Sequence, residues 1–322
     1  MKKNILGYIL LTTLLCSCSN DKEFKKILYF FDSYEEIILY EDNKEAFSEL
    51  SNTLQLYDNL TDNYHSSLKY TNIFDINLTN GTKTEINKEL YYLFKNSEVL
   101  QGYSKNYYNP LIGKISNLYK ESLQNNVLPD QAQVSEYLLE MNNTELLLEE
   151  ENNKYFITKI GAAGIDFGAI AKGYVLDKCY DYLSTHNITN YLVNCGLSSL
   201  LLGSKKSANP DYSVGFSFKK GAYINAKDCF IGVSGVQEQG VKIDGVTYSH
   251  IINPFTGSAV NNYDAVVVLG SSGSLCDVLS TSFMMMSLDE IKQIESELNV
   301  SSIIFKDNEF LYINENLEVK YH

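Results

Sequence analysis

Apolar and polar positions follow two rhythms along this chain. After Asn43, the residues Ala46, Phe47, Leu50, Leu54 and Tyr57 recur at steps of three and four. That spacing predicts a helix capped by Asn43 and running to about residue 57. Ahead of it, residues 27–31 and 36–40 alternate with the period of strands, joined by a turn at Asp32-Ser33. Asn80-Gly81 marks another turn, residues 85–101 read as a helix, and 114–142 read as two helical stretches broken near Pro129. Residues 145–149 and 154–159 form a hairpin around Asn152-Asn153. Strands follow at 190–194, 199–203, 213–218, 229–234, 239–243 and 247–252, with Gly245 turning the last pair. Residues 264–270 are a buried strand, 273–286 and 288–298 are helices, and strands at 300–306 and 309–313 close the chain. There are no repeats and no low-complexity linker. Strand clusters alternate with helices without a βαβ period, so the pattern predicts one α+β domain over 27–322, built on a mixed, mainly antiparallel sheet.

The first 17 residues stand outside that core. Lys2 and Lys3 precede an apolar run from Ile5 to Leu15, too short for a membrane anchor. Leu15-Cys16-Ser17-Cys18 follows and resembles a bacterial lipobox, with Cys18 as the acylated residue. Cys16 is the poorer candidate because the bulky Leu15 precedes it. An ordinary cleaved signal with two incidental cysteines is the alternative. Residues 18–26 form a polar tether. Acyl chains on Cys18 would hold the protein on the cell membrane, facing the periplasm or the exterior, without a transmembrane helix.

Charge narrows the partners. The chain carries 40 acids against 26 lysines and arginines, a net charge of −14. Without residues 1–17 the balance falls to −16. An acidic surface of that size argues against nucleic acid or anionic lipid, and an anionic ligand needs local positive charge. Cys179, Cys195, Cys229 and Cys276 form no C-x-x-C pair, which argues against zinc and leaves disulfides and buried thiols both open.

One candidate for that charge is Lys172, in the stretch Gly161-Ala-Ala-Gly-Ile-Asp-Phe-Gly-Ala-Ile-Ala-Lys-Gly-Tyr-Val-Leu-Asp177. Glycines and small residues let backbone come close to another segment or to a ligand. Ile170, Tyr174, Val175, Lys178 and Leu183 then read as a helix, whose N-terminus with Lys172 suits an anion. Asp277 and Thr281 share a face of a later helix. They are hard oxygen donors that suit Mg²⁺, or else a helix-start acid and a threonine bonded back to its own helix. His250 is either a proton acceptor or a structural hydrogen-bonding partner.

Three stretches carry a family resemblance. Asp166-Phe-Gly-Ala-Ile-Ala-Lys-Gly-Tyr-Val-Leu-Asp177 resembles the D-L-G-G-I-A-K-G-Y-A-V-D signature of the ApbE family, the FAD:protein FMN transferases. Tyr248-Ser-His-Ile-Ile-Asn-Pro-Phe-Thr-Gly257 resembles that family's Y-x-H-I-I-D-P-x-T-G, and Ser274-Leu-Cys-Asp-Val-Leu-Ser-Thr281 its x-x-A-D-A-L-S-T. The resemblance implies an ApbE-like fold and a Mg²⁺ site made by Asp277, Thr281, Ser280 and the backbone carbonyl of Ala169. It implies a flavin site lined by Phe31, Tyr64, Tyr107, Tyr108, Asn109, His250 and Ile251, with Asp166 orienting the nucleotide or its turn. Lys172 would neutralise the pyrophosphate of FAD. The implied reaction moves FMN from FAD to a threonine or serine hydroxyl of an exported acceptor protein, with release of AMP. Several family positions are substituted here: asparagine stands at 106, 109 and 253, Leu197 replaces a glycine and Val233 a threonine. These substitutions keep two alternatives in view: an FAD pyrophosphatase using water as acceptor, and a flavin-binding lipoprotein without catalysis.

Overall fold

The computed structural model describes residues 23–236, 240–243 and 246–322. Cys18, the predicted signal, the start of the tether and the Asp244-Gly245 turn lie outside the described residues. The chain opens with a hairpin of β1 (Phe24–Phe30) and β2 (Ser33–Leu39). Its turn sets Phe31 and Asp32 in the left-handed region, at φ 48° and 54°. β1 begins three residues ahead of the predicted strand, so Phe24 to Lys26 are paired rather than part of a tether. Next comes α1 (Lys44–Thr61), whose first turn is capped by the Asn43 side chain accepting from the Ala46 N–H at 2.9 Å. Its apolar face, including Ala46, Leu50, Leu54 and Tyr57, is buried as the spacing requires.

The short α2 (Ile73–Asn77), β3 (Lys83–Ile86) and α3 (Lys88–Tyr103) follow. Here the predicted helix over 85–101 needs correction. Glu85 and Ile86 pair with the later β5, and Asn87 caps the helix that starts after them. α4 (Gly113–Gln124) and α5 (Gln131–Asn142) flank Pro129. β4 (Glu145–Glu151) and β5 (Lys154–Ile160) turn at Asn152 and Asn153, both left-handed.

The second half runs through α6 (Ala171–Thr185), β6 (Tyr191–Cys195), β7 (Ser199–Leu202), β8 (Tyr212–Gly215), β9 (Ala222–Ala226) and β10 (Cys229–Gly235). β11 (Val241–Ile243) pairs with β12 (Val246–Tyr248). Then come β13 (Ala265–Gly270), α7 (Gly273–Phe283), α8 (Leu288–Leu298), β14 (Ser301–Lys306), β15 (Glu309–Ile313) and β16 (Lys320–Tyr321). β9 and β16, like α2 and β3 in the first half, are additions to the predicted set.

Eight strands form the main sheet, in the order β1-β2-β6-β7-β10-β13-β14-β15. Every neighbouring pair is antiparallel. Successive side chains leave a strand on opposite faces. Ile37, Val193, Leu201 and Val268 accordingly meet the helical layer, while Ile38, Leu192, Leu200 and Val267 meet the small sheet β16-β9-β8. Both faces are covered, which is why the central strands read as unbroken apolar runs. Cys179, Cys195, Cys229 and Cys276 are all free thiols.

Candidate active site

The segment between β5 and α6 is fixed by buried polar groups. Lys159, almost wholly buried, donates to the carbonyls of Gly161 at 3.1 Å and Ala163 at 3.3 Å, and burial lowers its pKa. The Asn77 side chain clamps Ile165 by bonds to both its N–H, at 2.7 Å, and its carbonyl, at 3.0 Å. Asp166 accepts from the Gly168 N–H at 2.7 Å, an Asx turn that leads the chain into α6. Burial raises the Asp166 carboxyl pKa, against the pull of that N–H and of Lys120.

No side chain of its own caps α6. The first N–H groups of a helix have no intrahelical partner, and a distant acid supplies one here. Asp277 of α7 accepts from the Gly173 N–H at 2.6 Å. The relation is reciprocal. Asp177 of α6 accepts from Gly273 N–H at 2.6 Å, Ser274 N–H at 3.0 Å and Ser272 Oγ at 3.2 Å, at the start of α7. Each helix thus brings a carboxylate to the other's positive end. Contact this close requires glycine at both crossings: a Cβ on Gly173 would lie 2.1 Å from the Gly273 carbonyl oxygen.

Asp277 is buried and also accepts from Ser199 Oγ at 2.8 and 3.0 Å. Burial still pushes its pKa up to about 7, although Ser199, the Gly173 N–H and Lys172 all favour the charged form. The Gly173 N–H would reach the Ala169 carbonyl in a regular helix, four residues back. Asp277 takes it instead, and the Ala169 carbonyl accepts no hydrogen bond among the described residues. One turn along α7, Ser280 Oγ donates to the Asp277 carbonyl at 2.9 Å and lies 2.9 Å from Ser234 Oγ, which is 3.2 Å from Thr281 Oγ1. These neighbours are all oxygens, the donor class that suits Mg²⁺.

Lys172 is half-buried in the first turn of α6. Its ammonium packs on Gly196, where a Cβ would sit 2.4 Å from Nζ and 2.6 Å from Ser33 Oγ. Gly196 is left-handed at φ 61°, and Leu197 after it is left-handed too, at φ 65°. A leucine there carries a cost of roughly 1–2 kcal/mol. The Asn194 side chain supports it by accepting from the Leu197 N–H at 2.9 Å.

The expected flavin-side residues divide. Phe31 is half-buried at the hairpin turn, its N–H held by Asp58 Oδ1 at 2.7 Å. Tyr64 is exposed, and Lys120 lies 4.2 Å from its ring centroid and bonds its hydroxyl at 3.1 Å. Tyr107 is half-buried, edge-on to Phe255 at 5.1 Å. Tyr108, expected beside it, is buried with its hydroxyl 2.8 Å from Ser97 Oγ, and its ring belongs to the core. The Ile251 side chain is likewise in the core, while its carbonyl accepts from the Val260 N–H at 2.9 Å. Asn109 and Asn253 accept from the N–H two residues on, at 2.9 and 2.8 Å, so both act as turn residues. Asn106 keeps a left-handed φ of 64°. His250 Nδ1 is shut from solvent with no partner among the described residues, and burial lowers the ring's pKa to about 4.

Ser199, Ser234 and Asp177 were not singled out by sequence reasoning. The signal for both serines is a small hydroxyl inside an otherwise apolar strand, where a buried polar atom must find a partner.

The profile of the ApbE family matches residues 31–304. The FAD:protein FMN transferase of Treponema pallidum is 26% identical over 223 residues, 64% of this chain and 62% of that protein. The FAD:protein FMN transferase of Klebsiella pneumoniae is 26% identical over 217 residues, 65% and 66% of the two chains. The chain therefore spans just under two thirds of the length of these relatives. Among solved structures, the flavin transferase ApbE from Vibrio cholerae shares the fold. Its TM-score is 0.74 at 21% identity, with 91% of this chain and 97% of that one covered.

Proposed function

The chain belongs to the ApbE family, and from that membership we propose that it is an FAD:protein FMN transferase. One arrangement carries the reading: a buried acid, Asp277, pushed up to about 7 and set near Lys172 at the junction of two mutually capped helices. An acid that burial holds near neutrality is one that a bound cation would return to its charged form. Asp277, Thr281 and the carbonyl of Ala169 would hold Mg²⁺, with Ser280 and Ser234 behind them. When bound, the metal supplies charge neutralisation at the pyrophosphate oxygens.

Lys172 supplies a fixed positive charge to the pyrophosphate, worth about 4 kcal/mol at ~4 Å in an effective dielectric of about 20. A threonine or serine hydroxyl of the acceptor attacks the phosphorus of the FMN half. The bond to the AMP oxygen breaks, and AMP leaves with that electron pair. His250 is neutral at physiological pH because burial lowers its pKa, so its imidazole is in the form that can take the hydroxyl proton. Asp166 holds the turn that delivers Ala169 and Lys172. The lipobox-like sequence supports an enzyme anchored through Cys18 on the outer side of the cell membrane, acting on an exported protein.

The test is direct. Protein lacking residues 1–17 is incubated with FAD, Mg²⁺ and candidate exported acceptors, then separated on a denaturing gel. A fluorescent flavin that survives denaturation is expected on the acceptor, and it should vanish with EDTA and with Lys172→Ala. Asp277→Ala should lower the transfer rate at least about a hundredfold, or ~2.7 kcal/mol of barrier. Free FMN and AMP with no labelled band would establish a pyrophosphatase, and intact FAD after long incubation a binding protein. In cells, Cys18→Ala should move the protein from the membrane to the soluble fraction.

A further inference from the structure

Next to Lys172 lies an acid that this reaction scheme does not use. Glu35 of β2 has no solvent exposure, among strand neighbours such as Ile37 and Leu39 that are buried and apolar. Its Oε1 accepts from Ser33 Oγ at 2.7 Å, while Oε2 has no partner among the described residues. A buried carboxylate with an unsatisfied oxygen is expensive, and an apolar residue at the same place would cost the fold less. Burial raises the Glu35 carboxyl pKa, and Lys172 opposes that more strongly than Ser33, Cys195 or Gly196.

The geometry explains the influence of Lys172. Glu35 pairs with Cys195 across β2 and β6, and Gly196 follows directly. Lys172 Nζ and Ser33 Oγ close on the same bare face of Gly196, within 2.4 and 2.6 Å of where a Cβ would be. Ser33 then passes on to Glu35. The ammonium forms no direct ion pair among the described residues, and the two buried acids whose carboxyls it stabilises in the charged form are Glu35 and Asp277.

We propose that Glu35 is a positioning residue for Lys172: its buried charge keeps the ammonium at the Gly196 corner, where it meets the substrate pyrophosphate at a fixed place. This rests on the proposed role of Lys172.

Glu35→Gln keeps the volume and the acceptor for Ser33 but removes the charge. FAD affinity is measured by flavin fluorescence in the wild type, E35Q, K172A and the double variant, in Mg²⁺ buffer. K172A should weaken FAD binding at least about tenfold. E35Q should weaken it roughly fivefold and lower kcat about tenfold when Lys172 is present, yet change affinity by less than about 1.5-fold in the K172A background. The melting temperature of E35Q should equal or exceed that of the wild type, which a merely structural role would not allow. Equal losses in both backgrounds, or no loss in either, would overturn the proposal while leaving Lys172 in place. Unchanged FAD affinity in K172A itself would overturn both. Should E35Q fail to fold, Ser33→Ala breaks the same link and must show the same dependence on Lys172.

Discussion

The α6–α7 corner and the loops where the resemblance implies a flavin are built on opposite principles. At the corner, backbone meets backbone. Gly173 faces Gly273, and Gly232 of β10 lies against α7, where a Cβ would come 2.5 Å from the Cys276 carbonyl carbon. The two carboxylates that cross between the helices bond N–H groups. In the loops, by contrast, the backbone bends through left-handed residues that bear side chains, Lys105, Asn106 and Leu197 among them. Short polar side chains such as Asn109, Asn194 and Asn253 stitch those bends locally. The corner is specified by the absence of side chains and the loops by dihedral angles, so the first should tolerate almost no change and the second a good deal.

The sharpest way to break this contrast is Gly173→Ala. Its methyl group would sit 2.1 Å from a backbone oxygen and 2.8 Å from the Asp277 carboxyl carbon. Neither neighbour is the far end of a flexible chain. Destabilisation at or above the ~3 kcal/mol upper end of ordinary overpacking is expected, read by urea unfolding. Stability within about 1 kcal/mol of the wild type would mean that the two helices can part without cost.

The same contrast governs what was legible in the sequence. The Gly-rich run, the cap at Asn43 and the periodic faces of α1, α7 and α8 are local signals, and they led to the corner. The partners of Asp277 are not local: Ser199 is 78 residues away and the Gly173 N–H 104. No spacing rule reaches them. β9 was invisible because its inward positions are Ala222, Ile224 and Ala226, two of them too small to mark a strand. Tyr108 and Ile251 stand where the resemblance implies flavin contacts, but their side chains are in the core, since adjacent residues in a turn or strand diverge.

A second measurement separates the regions by the sign of their pH dependence. Burial lowers the His250 pKa from 6.5 to about 4. The unfolded chain therefore binds the proton more tightly, and this site's contribution is full above about pH 6.5 and lost as pH falls toward 4. The amount is about 3 kcal/mol at most. Asp277, raised from 3.8 to about 7, acts in reverse: the metal-free protein loses stability as pH rises between those values. Because the two trends oppose each other, the difference curve between His250→Gln and the wild type is the quantity to measure. It should slope between pH 4 and 6.5 and flatten above. A flat difference throughout would mean the ring is solvated and its Nδ1 satisfied.

The smallest effect belongs to Asn106→Gly, and it bears on whether the substituted loops retain their chemistry. Asn106 is exposed, at φ 64°, where asparagine is among the few residues with a side chain that sit without much strain. Glycine removes the residual strain and adds freedom to the unfolded chain. These effects oppose each other, and a net change under about 0.5 kcal/mol is expected in urea unfolding. If the loop's contribution is its backbone path alone, FAD affinity and the transfer rate should also stay within about twofold. A large gain in transfer rate would be more informative than a loss. It would mean that the asparagine side chain obstructs the ligand and that this loop has drifted from a transferring toward a binding role, while the corner kept its full set of donors. Equal rates would place the whole demand for precision at α6 and α7.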